Sequence, residues 1–339
     1  MITECEEKMC IMSSTADIMH IFFASDENFA MHLTAVLSSI LLNANDNDFH
    51  FFHILDDDIS DRSKQIILEL KRIKDFDIEF IKIDNNIFKD CPLVPNCSHI
   101  TRQTYYRYII PKIKPQLEKV LYLDCDIIVK KSLSDLYNID LGDKYCAVVQ
   151  EMNPYFSPKD EKRLGINAEF NAGVILFNNR KLVEENLTPV FFENTQNLYE
   201  QGLLVWQDQD VLNYTFKDNV LWLNPKYNYQ QNMGEKPYYS KYCLKELNDA
   251  KKNIVIVHYN NKRKPWTFNT DFYAFDYYFA LLNTKYAKKA IKYILYYVLK
   301  SQFTNIYRFL FSAKNSGDRT HKIITILGIK FKFRRKKHA

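Results

Sequence analysis

From Val120 to Val129 the chain reads Val-Leu-Tyr-Leu-Asp-Cys-Asp-Ile-Ile-Val, an aliphatic run with two carboxylates at its middle. Such a run predicts a strand buried on both faces, which places it inside a sheet covered by helices. Two anionic side chains in that setting are costly unless something cationic meets them, and a metal ion is the simplest answer. Side chains alternate along an extended segment, so Asp124 and Asp126 are expected on one side and Cys125 on the other. Hard oxygen ligands of this kind suit Mn²⁺ or Mg²⁺, which bind through one or two carboxylates and draw further ligands from water and substrate phosphates. A solvated strand end is the plainer reading of an isolated Asp-x-Asp.

The surroundings favour an α/β fold. From His20, short apolar runs alternate with longer helical stretches: Ile21 to Ala24, then a helix over about 28–42; Phe49 to Leu55, then about 61–73; then Ile78 to Ile83. Strands separated by helices of that length predict a parallel sheet with right-handed crossovers. Further strands are expected at 145–149, 172–177 and 254–257 and helices at 180–201 and 208–216, giving a mixed, mainly parallel sheet; 225–249 reads as a loop. Ligands of such sheets gather beyond the carboxyl ends of the strands. That rule singles out Asp26, Asp124, Asp126 and His258. Neither G-x-G-x-x-G nor Walker A is present, which argues against the commonest dinucleotide and P-loop sites.

With 339 residues, 47% of them hydrophobic, the chain is long enough to bury a sizeable core. Its seven cysteines are scattered, without a CxxC pair or Cys/His ligand spacing. A disulfide framework and a structural zinc are therefore disfavoured, and a reducing cytoplasm is expected. Residues 1–18 lack the basic start and apolar centre of a signal peptide and are read as a disordered extension or as sequence upstream of a start at Met19. Charge is uneven: residues 285–339 hold 15 Lys/Arg against one acid, net +14, whereas 1–284 hold 31 against 40, net −9. Between Ile291 and Phe311, apolar residues near helical spacing stand among tyrosines and basic side chains, and no segment reaches the roughly 20 apolar residues of a spanning helix. Residues 285–339 are read as a basic amphipathic tail lying on an anionic membrane, after a catalytic domain over 19–284. A terminal helix packed on its parent domain is the plainer alternative.

Six motifs follow one another in order: Ala24-Ser25-Asp26-Glu27-Asn28-Phe29; His99-Ile100-Thr101 with Thr104-Tyr105 and Arg107; Leu121-Tyr122-Leu123-Asp124-Cys125-Asp126; Phe170-Asn171-Ala172-Gly173-Val174; Gln207-Asp208-Gln209-Asp210 with Leu212-Asn213; and His258-Tyr259 with Lys264-Pro265-Trp266. Together, over roughly residues 19–270, they resemble glycosyltransferase family 8, most of all its bacterial members that add α-linked galactose or glucose to lipooligosaccharide or lipopolysaccharide cores.

The resemblance implies a nucleotide-sugar fold of the GT-A type, a UDP-galactose or UDP-glucose donor, retention of anomeric configuration, and Mn²⁺ held by Asp124, Asp126 and His258. It places Asp26, Asn28 and Phe29 at the uridine, with Phe29 stacking on uracil, Ala24 among the donor-binding residues, and Arg107 and Lys264 at the phosphates. Cys125 falls within the Asp-x-Asp donor motif. Asn171, Ala172, Asp208 and Gln209 match positions around the transferred hexose, with Asp208 and Gln209 as the catalytic pair. Glu151 stands where an aspartate is common, and Asn261 where a glycine is common in the phosphate-facing turn. Asp210 is read as helix N-terminal charge. Because an amide is a poor nucleophile, Gln209 favours front-face attack over double displacement.

The expected protein is thus a cytoplasmic, peripheral-membrane hexosyltransferase acting on a saccharide acceptor of a lipid-linked glycan, with no nucleic-acid partner. A metal-dependent phosphohydrolase or nucleotidyltransferase using the same aspartates, or a basic-tailed binding protein, are the competing readings.

Overall fold

Three runs rich in Phe, Ile and Leu form the parallel strands β1 (Ile18–Asp26), β2 (Phe49–Asp57) and β3 (Asp77–Lys82), joined by helices α1 (Ala30–Leu42) and α2 (Asp61–Leu68). The computed structural model describes residues 18–94, 101–152, 157–231, 233, 241–267, 272–315, 321–327 and 329–334. Apart from Ile18, the expected N-terminal extension lies outside the described residues, as do His99 and Ile100.

Strands β4 (Val120–Leu123), β6 (Cys146–Gln150), β7 (Phe170–Phe177) and β8 (Val220–Trp222) complete a seven-stranded sheet in the order β3-β2-β1-β4-β7-β6-β8. Pairing is parallel from β3 to β4, antiparallel on both sides of β7, and parallel again between β6 and β8. This is the expected mixed, mainly parallel α/β architecture. Phe22, Leu55, Tyr122, Val148 and Ile175 from successive strands are buried together; each such side chain contributes about 1.5–3 kcal/mol by leaving water. Helix α1 is apolar nearly all round and correspondingly buried on nearly every side. Ser38 Oγ on α1 donates to Ala280 O (2.9 Å) on α7 (Ala274–Leu282), where His32 Nδ1 also meets Tyr277 Oη at 2.7 Å.

Three expectations need correction. The run Val120–Val129 is not one strand: β4 stops at Leu123, the chain bends at Asp124-Cys125-Asp126, and β5 (Ile127–Val129) joins a second sheet, β5-β10-β9, with β10 (Ile256–His258) and β9 (Tyr229–Gln230). The helix expected over 180–201 is two, α3 (Asn179–Glu184) and α4 (Leu187–Glu200), separated by Asn186 at φ +50; a left-handed asparagine ends the first. The loop expected over 225–249 holds β9 and the start of α6 (Leu244–Lys252), while residues 232 and 234–240 lie outside the described set.

The chain divides into two units, 1–286 and 287–339. The second begins with helix α8 (Ala287–Leu310) and continues as an antiparallel meander of β11 (Phe311–Asn315), β12 (His321–Ile326) and β13 (Ile329–Arg334). Among the described residues no helix is long and apolar enough to cross a membrane.

Candidate active site

The break in the aliphatic run is what builds the site. At the end of β4 the Asp124 N–H donates to Gly173 O (2.9 Å) on β7, and two residues later Asp126 O accepts from the Tyr259 N–H (2.9 Å) just after β10. Antiparallel pairing sets His258 opposite Ile127. The two carboxylates and one imidazole, far apart in sequence, thus have ligand atoms within 4.8 Å of one another.

This set fits a divalent cation. Asp126 Oδ1 is buried and, among the described residues, accepts no hydrogen bond, with His258 Nε2 3.1 Å away but out of hydrogen-bond alignment, and Asp124 Oδ2 lies 3.9 Å from the same nitrogen. An ion there would satisfy groups that the protein leaves facing one another, and mixed oxygen and imidazole ligands suit Mn²⁺. The seat also depends on a missing side chain. A Cβ at Gly173 would lie 2.3 Å from His258 Cε1 and 2.7 Å from Asp124 Oδ2.

Two cations hold the aspartates. Lys264 Nζ sits 2.5 Å from Asp126 Oδ2, and although burial pushes that carboxyl up, the Lys264 ammonium keeps it well below the usual range. Arg107 is buried rather than a surface ion pair: its guanidinium lies over the Tyr122 ring at 4.0 Å, Nη2 is 3.0 Å from Asp124 Oδ1, Nε is 3.1 Å from Asp208 Oδ2, and Nη1 donates to Ala172 O. One guanidinium thus serves two carboxylates. Burial accordingly pushes Asp208 up to about 6 even though Arg107 and the Thr104 hydroxyl pull it down.

All this lines one cleft of about 1130 Å³, larger than the roughly 300–1,000 Å³ of a typical small-ligand pocket. At one rim Phe29 is 39% exposed, and Asp26 accepts from the Phe29 N–H (2.9 Å) and from Asn28 Nδ2 (3.0 Å); Asn28 therefore orients Asp26. Cys125 is buried, its thiol 3.3 Å from Ala24 O. Asn261 lines the cleft without positive φ, so the turn does not need the left-handed backbone that a glycine there would supply.

Beyond the metal position, Gln209 is held at both ends: Oε1 accepts from the Ala172 N–H (3.0 Å) and Nε2 donates to Glu169 Oε1 (2.8 Å). Asn171 Nδ2 donates to Glu151 Oε2 (2.7 Å). Gln207, just before α5 (Asp208–Phe216), has φ 50 and ψ −122, a conformation that glycine favours, and this turn delivers Asp208 and Gln209 to the cleft. Asp210 does more than complement a helix dipole. It accepts from the Val205 and Trp206 N–H groups (2.6 and 2.8 Å) and pairs with Arg163 (2.8 Å), fastening the loop that precedes the helix.

Three participants had no role assigned from the sequence. Thr104 binds Asp208; Asn228, beside β9, lies 2.9 Å from His258 Nδ1; and Glu169, a buried carboxyl that burial and Glu151 push well above the ordinary range, supports Gln209. Each matters through a neighbour distant in sequence. Only Thr104 stood inside a motif.

Comparison with known proteins agrees with this geometry. The family model for glycosyl transferase family 8 matches residues 20–270. General stress protein A of Bacillus subtilis is 28% identical over 258 residues, 75% of this chain and 89% of that protein. Lipopolysaccharide 1,2-glucosyltransferase of Escherichia coli is 27% identical over 283 residues, 82% of this chain and 81% of that one. The crystal structure of the galactosyltransferase LgtC with donor and acceptor sugar analogs superposes with a TM-score of 0.67 at 27% identity, covering 78% of this chain and 95% of that chain. With the matched region holding Asp26, Arg107, Asp124, Asp126, Asp208, Gln209, His258 and Lys264 of that cleft, the chain belongs to glycosyltransferase family 8.

Proposed function

We propose that the protein transfers galactose or glucose from a UDP-sugar, with retention, to a saccharide of a lipid-linked surface glycan of the lipopolysaccharide or lipooligosaccharide type. The observation that carries this reading is the convergence of Asp124, Asp126 and His258 in the cleft that also holds Arg107, Asn171, Asp208 and Gln209. Similarity to a lipopolysaccharide glucosyltransferase and to a galactosyltransferase supports a hexose donor.

Mn²⁺ held by Asp124, Asp126 and His258 would offset charge on the departing diphosphate. The protein's own groups do the rest. Asp26 and Phe29, beside Ala24 and Cys125, receive the uridine at the rim, while Arg107, Lys264 and the turn at Asn261 face the phosphates. Asn171, Ala172, Glu151 and Asp208 surround the hexose, Asp208 accepting from sugar hydroxyls. Gln209, its amide plane fixed by Ala172 and Glu169, turns oxygen density toward the anomeric carbon, where positive charge develops as the C–O bond to phosphate breaks. In front-face attack the acceptor hydroxyl forms the new bond on that same side, and its proton passes to the leaving phosphate oxygen. The test is a screen of UDP-sugars with Mn²⁺ in the absence of acceptor: slow hydrolysis of UDP-galactose or UDP-glucose is expected, and hydrolysis of neither by folded protein would overturn the reading.

The C-terminal unit is proposed to lie on the cytoplasmic face of an anionic membrane. On α8, Ile291, Leu295, Val298 and Leu299 are exposed. In the meander, the pairs Ile324↔Phe331 and Ile326↔Ile329 share one face, Lys330 and Lys332 take the other, and Ile326, Ile329 and Phe331 are exposed. Exposed apolar groups beside basic ones are what an interfacial element needs. Deleting 287–339 should abolish co-sedimentation with anionic vesicles and preserve donor hydrolysis; a truncated protein that still binds vesicles would contradict the assignment.

A further inference from the structure

One backbone N–H dictates the orientation of three buried side chains. The Gly173 amide can only donate, and it lies 3.1 Å from Asn171 Oδ1, so that atom is the carbonyl oxygen and Asn171 Nδ2 faces Glu151 Oε2 at 2.7 Å. The same oxygen is 2.9 Å from Asn228 Nδ2, which must therefore be the donor in that contact. Asn228 then presents its carbonyl oxygen to His258 Nδ1 at 2.9 Å. A carbonyl oxygen cannot donate, so Nδ1 carries the proton. In a neutral imidazole that leaves Nε2 bare, and Nε2 is the nitrogen 3.1 Å from Asp126 and 3.9 Å from Asp124. Asn171, Asn228 and His258 are 5%, 0% and 2% exposed, so water has little room to compete for these bonds.

We propose that Asn228 is a positioning residue with two tasks: its amide oxygen locks His258 in the tautomer that offers Nε2 to the cation, and its amide nitrogen ties that ligand to the Asn171–Glu151 pair on the sugar side. The proposal rests on Asp124, Asp126 and His258 being cation ligands. It goes beyond that reading by making the metal site and the hexose site share one rigid amide. Loss of the oxygen frees the imidazole to rotate or to place its proton on Nε2, which weakens the cation. Loss of the nitrogen alone leaves the cation in place but releases Asn171.

The two tasks separate in two variants. Mn²⁺ affinity is read from the free-ion electron paramagnetic resonance signal during titration, without donor or turnover, and kcat and KM for UDP-sugar hydrolysis are measured beside it. Asn228→Leu removes both contacts and is expected to weaken Mn²⁺ by about 10- to 100-fold, the usual consequence of losing such an outer partner. Asn228→Asp still accepts from Nδ1–H but cannot donate to Asn171. It is expected to restore Mn²⁺ affinity to within about threefold of wild type, while kcat stays lowered about tenfold with donor KM little changed. Folded Asn228→Leu with wild-type Mn²⁺ affinity would overturn the proposal. If that variant does not fold, Asn228→Asp decides alone: Mn²⁺ affinity as low as that of His258→Ala, or kcat equal to wild type, would overturn it. His258→Ala separates the underlying reading, because unchanged Mn²⁺ affinity there means that His258 is not a ligand, whereas weakened affinity there with none in folded Asn228→Leu faults Asn228 alone.

Discussion

The two ends of β1 and its neighbours bury ionisable groups by opposite means. Toward the amino ends, His20, His50 and His53 are buried or half-buried, and burial lowers each to about 4, so all three sit neutral in the fold. Among the described residues His50 has no hydrogen-bond partner on either ring nitrogen, and it stacks near Phe52, with centroids 5.7 Å apart. At the carboxyl ends, Asp124, Asp126 and Asp208 are instead met by Arg107 and Lys264. An imidazole escapes the cost of burial by giving up a proton near neutrality, whereas a guanidinium cannot and must be paired. One end of the sheet therefore holds three neutral imidazoles, with the Glu79–Lys114 pair (2.6 Å) beside His53. The other holds charge arranged for a charged ligand.

The sharpest way to break this contrast is to remove the cation that serves two carboxylates. Arg107→Leu leaves Asp124 and Asp208 without their shared partner and is expected to destabilise the protein by about 3–5 kcal/mol in urea unfolding; a loss below about 1 kcal/mol would mean that the pairing contributes little. At the imidazole end the lever is acid. His50 titrates near 4 in the fold against about 6.5 unfolded, so its contribution is complete above pH 6.5 and is lost as pH falls toward 4. His50→Phe should therefore narrow the stability difference between pH 7 and pH 4 by up to about 3 kcal/mol, and an unchanged pH profile would show that His50 does not titrate as described. The smallest effect concerns backbone strain at the charged end. Gln207→Gly relieves a conformation costing on the order of 1–3 kcal/mol but loosens the unfolded chain by about 1, for a net gain of about 1 kcal/mol in thermal unfolding. Destabilisation would mean that the buried Gln207 side chain outweighs the strain.

The same contrast governs what could be read from sequence. Strands β1 to β3 and helices α1 and α2 follow from local periodicity, and their observed bounds depart from it by a few residues. The Asp-x-Asp run was misread as one strand because nothing local distinguishes a continuous strand from two that meet at a bend. The break is set by Gly173 and Tyr259, which contact it from β7 and just beyond β10. Asn186 was a visible signal for the division between α3 and α4, since asparagine tolerates left-handed backbone. The start of α6 was hidden behind Cys243, an unusual N-cap, although Glu246 completes a capping box. Within the site, residues in contiguous motifs were legible. Asn228 and Glu169 were not, because their chemistry arises only where segments distant in sequence bring them against His258 and Gln209.

The central claim is that Asp124, Asp126 and His258 form the cation site of a UDP-hexose transferase. Its most direct test compares Mn²⁺-dependent, acceptor-free UDP-sugar hydrolysis by wild type and by Asp126→Ala, with circular dichroism to verify the fold. The account predicts that the folded variant loses activity by a factor on the order of 10³, as several kcal/mol of leaving-group stabilisation disappear. Hydrolysis within a few-fold of wild type by folded Asp126→Ala would contradict it.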